Sequence, residues 1–332
     1  MRLYSGRTSS VIVFILFYLF FLCPLASNFT APHDAIDNLN EFQSGKDLFN
    51  PHHVLYHITT YWISSFLKML FTRIPYYYLV ESIDAFWGTL TLVIVFNFFK
   101  NRFGYDTLTS FIATCLPAFS FGMWFYSTNI EVYMPPLFFL MLCLYIISKP
   151  QINKRDLYLL ILFHVLAILF HQANILFTPI ILWRIWISRK QLNPVPLIAT
   201  YAVIGGGCVL IAYYVIGRFV LHYNTTAEIV HWMRGYTNTN TYWYPLALST
   251  LMNALVGLSH AFIGGHFVFR VQFIEDYLYK RFYYHNLTDE LFLVQSLEHR
   301  QALFLLVLAG ILLLLMLTLV TLFIVKFKSI YV

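Results

Sequence analysis

Apolar residues in this chain run in long blocks, separated by short polar interruptions. That pattern predicts helices that meet apolar surroundings on every side, not amphipathic helices with one wet face. A helix needs ~20 such residues to cross the hydrocarbon of a bilayer. Spans are predicted at about 9–27, 79–99, 107–126, 133–148, 157–171, 174–188, 197–221 and 302–325, with a further segment over roughly 246–268 that either crosses or re-enters. The expected fold class is all-α: a polytopic transmembrane helix bundle of about eight to ten spans. Between His53 and Arg73 the block is shorter, with an aromatic and aliphatic face. It predicts a helix lying in the membrane interface within the first outer loop. Trp62, Tyr61 and Tyr76-Tyr77-Tyr78 fit the aromatic belt at the water boundary.

Composition narrows the class further. Hydrophobic residues make up 59% of the chain and charged residues 11%, more apolar surface than a soluble domain of this length can bury. The net charge of +6 comes from small basic clusters between apolar runs, which read as loop anchors and not as a nucleic-acid surface. These clusters fix an orientation. Arg2 and Arg7, Lys100 and Arg102, Lys149, Lys154 and Arg155, then Arg184, Arg189 and Lys190 fall at alternate span ends, whereas 127–132 and 171–174 contain neither Lys nor Arg. The N-terminus is therefore expected in the cytoplasm, with 28–78, 127–132, 171–174 and 222–245 outside. The expected location is the cell (inner) membrane of a prokaryote or the endoplasmic reticulum membrane of a eukaryote. The run from Val11 to Ala26 is read as a retained anchor and not a cleaved signal, because no small-x-small site follows it. Charge assigns no side to 270–300. No internal repeat or soluble domain is visible, so residues 1–332 are expected to form a single membrane domain.

Against this background the stretch from Ala31 to Tyr56 stands out. It holds Asp34, Asp37, Glu41 and Asp47, out of 15 acidic residues in all, beside His33, His52 and His53. Asp34 follows the first span closely and should lie near the outer membrane surface, where a carboxylate can take the proton of an acceptor hydroxyl, or bind a metal or a basic substrate group. Turn-forming and helix capping are the ordinary roles of such residues, and they remain open for Asp37 and Asp47. Glu131 opens Glu-Val-Tyr133 at the outer end of another span; a carboxylate there faces a wet cavity or caps the helix. Glu81 and Asp84, three residues apart, share one helical face, where they complete an acidic cavity or pair with Arg73. His171, with His52 and His53, is a candidate for phosphate or metal contact, although their spacing specifies no zinc site. Arg218, His222 and Arg234 flank the 222–245 loop and can neutralise a phosphate or anchor the loop. No metal site and no cofactor is expected, with a divalent cation left open. Nucleotide-binding glycine motifs and the Gly-x-Ser-x-Gly elbow are absent from the sequence. The four cysteines all lie in apolar segments, without a disulfide or CxxC pattern.

The order of these elements resembles the GT-C superfamily of membrane glycosyltransferases. More closely, it is similar to the branch related to protein O-mannosyltransferases. Asp34 with Asp37 stands at that branch's acidic motif. Phe49-Asn-Pro-His-His-Val-Leu-Tyr56 stands at its His-Pro-Pro-Gly-Tyr-Pro-Leu-Tyr motif, keeping one Pro and the final Leu-Tyr. Trp124 to Tyr133 matches its Trp-x(6)-Glu-Val-Tyr element, and His171 to Pro179 its His followed by a Pro-terminated apolar run. The resemblance covers 8–190 as the catalytic core and leaves 191–332 as additional transmembrane helices and an outer loop.

The resemblance implies transfer of a sugar from a polyprenyl-phosphate-linked donor to a glycan, lipid or protein acceptor on the outer face, with inversion. Asp34 would be the general base. Asp37, His52, His53, Glu81, Asp84, Glu131 and His171 would line the substrate site, and Arg218 or Arg234 would hold the lipid phosphate. Membrane lipid is then a partner and nucleic acid is not. Two other classes stay in view: a transporter or flippase of a lipid-linked saccharide, and a non-catalytic scaffold in glycan assembly. Transporters commonly carry repeated halves, which this chain lacks.

Overall fold

In the computed structural model, every regular element among the described residues is helical. Those residues are 2–25, 33–187 and 193–235, with scattered positions from 247 to 321. The chain divides into two compact units, Met1–Phe119 with Met123–Trp243, and Ser120–Gly122 with Tyr244–Val332. In the second unit, Leu303, Phe304, Val307, Ile311, Leu314 and Leu317 are helical and exposed. The expectations for 236–246, for 249–297 and for most of 302–325 lie outside the described residues.

In chain order the helices up to residue 235 are α1 (Arg2–Leu22), α2 (His33–Ser44), α3 (Tyr56–Leu70), α4 (Tyr76–Arg102), α5 (Thr107–Ala118), α6 (Phe121–Thr128), α7 (Met134–Ile147), α8 (Lys154–Phe170), a 3-10 segment (Gln172–Phe177), α9 (Thr178–Ile187), α10 (Pro194–Val220) and α11 (Thr226–Arg234). Side-chain caps mark several starts. Asp106 accepts from the Leu108 and Thr109 N–H groups before α5. Asn153–Asp156 and Thr225–Glu228 form capping boxes at α8 and α11. Asn193 caps α10 ahead of Pro194.

Among the described residues two helices, α4 and α10, are long and apolar enough to cross a membrane, and a third is added if α5 and α6 count as one broken span. Length and composition thus give two or three spans where hydropathy led to an expectation of about eight to ten. Apolar windows read straight through helix breaks. The block at 107–126 is divided near Phe119 and bends by 73°. The 14 residues of α7 rise only ~21 Å at ~1.5 Å per residue, short of a ~30 Å hydrocarbon core. The block at 174–188 opens on 3-10 turns before α9 begins.

Several polar groups are buried while many large apolar side chains face outward. Glu81, Asp84, Thr89, Thr91, Ser110, Thr114 and Ser127 are buried, whereas Ile12, Leu16, Leu108, Ile112, Val203 and Ile211 are exposed. The helix expected after His53 is present as α3, and it shows the same inversion. Tyr56, His57, Thr60 and Ser64 face inward, while Trp62, Phe66, Met69 and Leu70 face out. Its inward contacts are polar, so the apolar stripe is the face a bilayer interface would take. At Gly88 on α4, an added Cβ would lie 2.9 Å from Ser127 Cβ. Only glycine allows these backbones to approach so closely.

One end of the first unit is basic. Arg102 and Arg184 hold carbonyls at and just after the end of α7: Arg102 that of Tyr145, and Arg184 those of Ile147, Lys149 and Pro150. Lys149 pairs with Asp156 at the start of α8. α4 and α7 end at this basic end and α8 starts from it, so Asp84, Glu131 and His171 lie toward their other ends.

Candidate active site

At that other end an apolar floor forms first. Ala35, Leu39 and Phe42 of α2 pack with Leu48, Tyr56, Val80, Ile130, Val132 and Phe170. Burying a side chain such as Phe42 contributes about 1.5–3 kcal/mol, which seats α2 on the bundle. The loop before α3 is held at three points. The Tyr213 hydroxyl donates to the Pro51 carbonyl (2.6 Å), Gln172 N–H donates to the His52 carbonyl (2.9 Å), and Leu55 N–H donates to the Leu169 carbonyl (3.0 Å). These bonds join segments more than a hundred residues apart and bring the sequence-predicted residues onto one end.

Around the floor lie two groups of side chains. The first is acidic. Asp34 is exposed in the first turn of α2, and Glu131 is buried in the α6–α7 connection. Burial, followed by the charge of Asp34, pushes the Glu131 carboxyl up to about 7. Asp84 is fully buried; its Oδ2 accepts from the Tyr56 hydroxyl at 3.0 Å and from the Glu131 N–H at 3.4 Å. Glu81 is buried one turn earlier on the same face of α4. Glu81 Oε2 and Asp84 Oδ1 have no hydrogen-bond partner among the described residues.

The second group is imidazole. The His53 ring lies 4.7 Å from that of His171, 6.2 Å from His57 and 6.3 Å from His52. Burial, reinforced by the neighbouring imidazoles, pushes His53 down to about 3; burial also lowers His52 and His171. At neutral pH the histidines are therefore an uncharged wall, suited to hydrogen bonding and stacking. Neutralising a phosphate falls to other groups. Tyr133 links the two groups. Its ring is 5.4 Å from His171, and its hydroxyl is pushed up to about 12 by burial, then by the charges of Glu131, Tyr126 and Asp34.

The remaining predicted residues are placed as follows. Asp37 is exposed, and its charge acts on Glu41, one turn further along α2. Arg218 donates to the carbonyls of Tyr223 and Asn224, so its guanidinium holds the turn ahead of α11. Arg234 is exposed at the end of α11. That end docks on the histidine wall: Gln172 donates to the Met233 carbonyl, and Gly235, with φ +48°, sits where a Cβ would come within 3.0 Å of the His52 ring. Among the described residues no three His, Cys, Asp or Glu side chains group as metal ligands.

Sequence reasoning missed Tyr56 as a bonding partner and missed His57 and Asn38 entirely. His57 Nε2 lies 2.8 Å from Asn38 Oδ1 and 3.2 Å from Glu41 Oε2. A polar residue recurring on the inward face of an otherwise apolar helix was the available signal. No protein-family model, curated protein or solved structure matches the chain.

Proposed function

We propose that this chain is an integral membrane glycosyltransferase of the GT-C type, with residues 8–190 as its catalytic core. In this reading the helices form a multi-pass bundle with the basic end in the cytoplasm and the acidic and imidazole end outside. The observation that carries it is the meeting of Asp34, Glu131 and His171 around Tyr133, from three separate chain segments. The donor is a polyprenyl-phosphate sugar, whose lipid tail lies against the exposed apolar helices. The acceptor hydroxyl gives its proton to the Asp34 carboxylate as its oxygen bonds to the anomeric carbon. The bond from that carbon to the phosphate oxygen breaks, its electron pair leaves with the lipid phosphate, and the centre inverts. Arg234, exposed at the end of α11, or Arg218 would meet the developing charge on the phosphate.

The test is sugar transfer by the full chain in lipid nanodiscs, with polyprenyl-phosphate sugars offered to glycan, lipid and hydroxyl-peptide acceptors. Asp34→Asn should lower transfer by about 10²–10⁴-fold, the usual range for a general base, and leave donor binding intact. Undiminished transfer by Asp34→Asn would sink the proposal. A transporter of lipid-linked saccharides is the second reading, favoured by the buried Glu81 and Asp84 oxygens without partners. Movement of a labelled lipid-linked sugar across proteoliposomes, without transfer in nanodiscs, would select it.

A further inference from the structure

Tyr56 and His57 open α3, and consecutive helical residues point about 100° apart. One reaches α4 and the other reaches α2. The Tyr56 hydroxyl and the Glu131 N–H share a single oxygen of Asp84, at 3.0 and 3.4 Å, so the hydroxyl helps fix where the Glu131 backbone rests. His57, 2% exposed, meets Asn38 and Glu41 through Nε2 and packs its ring 5.6 Å from that of Phe42. Asn38 and Glu41 lie four and seven residues after Asp34, which puts all three along one edge of α2. Holding that edge fixes both the roll of α2 and the position of Asp34. The two rings also pack edge to face, 5.5 Å apart, and Phe42 packs 6.0 Å from Tyr56.

We propose that Tyr56 and His57 are positioning residues which together set Asp34 against Glu131, one gripping each side of the site. The inference rests on the reading of Asp34 and Glu131 as the reaction centre. It predicts a property that needs no turnover: the charge of Asp34 reaches Glu131 only while the His57 grip is intact. The charged or titratable groups that act on this region are Asp34 from α2, Tyr56 from α3, Glu81 and Asp84 from α4, Tyr126 from α6, and Tyr133 and His171 beside them.

The experiment follows the Glu131 carboxyl by infrared difference spectroscopy of the full chain in nanodiscs, with Glu131→Gln as the blank. Asp34→Asn should lower its titration midpoint. His57→Phe, and Asn38→Leu from the opposite side of the grip, should lower it too, and adding Asp34→Asn to either should then change nothing further. His57→Gln, which keeps a side-chain N–H for Asn38, should behave like the parent. If Asp34→Asn shifts Glu131 equally with and without the His57–Asn38 contact, the proposal is overturned. In transfer assays, Tyr56→Phe and His57→Phe should lower kcat about ten- to a hundredfold through misplacement, with KM within about twofold. An inactive parent that still shows the coupling pattern would remove the glycosyl-transfer reading and leave the positioning role standing.

Discussion

Tyr56 donates its hydroxyl to Asp84 Oδ2 at 3.0 Å, and both side chains are fully buried. The bond is available in either protonation state of the carboxyl, because the phenol is the donor in both. Tyr56→Phe removes the donor and leaves a buried carboxyl oxygen short of a partner. The expected loss is about 1–3 kcal/mol, read as a lower denaturant midpoint in micelles. An unchanged midpoint would mean that water or a rotated side chain replaces the phenol.

Gly88 makes a sharper steric prediction. An added Cβ collides with the Ser127 side chain and lies 3.4 Å from Met134 Sδ. Gly88→Ala should cost about 1–3 kcal/mol by overpacking, and Ser127→Gly in the same chain should recover at least half of it. Equal stability of the single and double variants would place the strain elsewhere.

Stability should respond to pH with opposing slopes. Burial raises Glu131 from 4.5 to about 7, so the stability gained by keeping it protonated is full below pH 4.5 and is lost as pH rises through 7. His57 and His53 are pushed down from 6.5 to about 4 and about 3, so their contribution is present above pH 6.5 and is lost as pH falls through those values. Glu131→Gln should therefore make stability rise more steeply with pH between 4.5 and 6.5. Melting temperatures across that window, parent against variant, provide the check; parallel curves would contradict it.

The outward stripe of α3 can be located directly. In a chain with Trp62 as its sole tryptophan, lipids brominated near the headgroup should quench the fluorescence strongly, and lipids brominated near the chain ends weakly. Strong quenching by aqueous iodide instead would put that face in water.

Much of this was legible in the sequence because apolar blocks and caps are local. α4 and α10 lie close to where hydropathy puts spans, and the inward face of α3 follows from the spacing of Tyr56, Thr60 and Ser64. The break near Phe119 was not legible, because hydropathy averages across it. Asp34, Glu131 and His171 were candidates from sidedness and from the resemblance, but their meeting around Tyr133 depends on how α2 rolls against α3. That roll is set by His57 through Asn38, 19 residues away in the chain, a pairing that no local spacing gives. Arg218 shows the converse. Its charge left phosphate binding and loop anchoring both open, and it holds carbonyls five and six residues further on.

The basic cluster at one end has an electrical consequence. Arg102, Lys149 and Arg184 sit together, while the opposite end carries carboxyls and uncharged imidazoles. Across a membrane held at 100 mV, moving one elementary charge is worth ~2.3 kcal/mol. The cluster thus gives the unit a permanent handle for the field: an energised membrane pulls those cations toward its negative side and resists their transfer. In the orientation proposed above, insertion in the reversed sense would carry Arg102 and Arg184 against that potential, Lys149 being paired with Asp156.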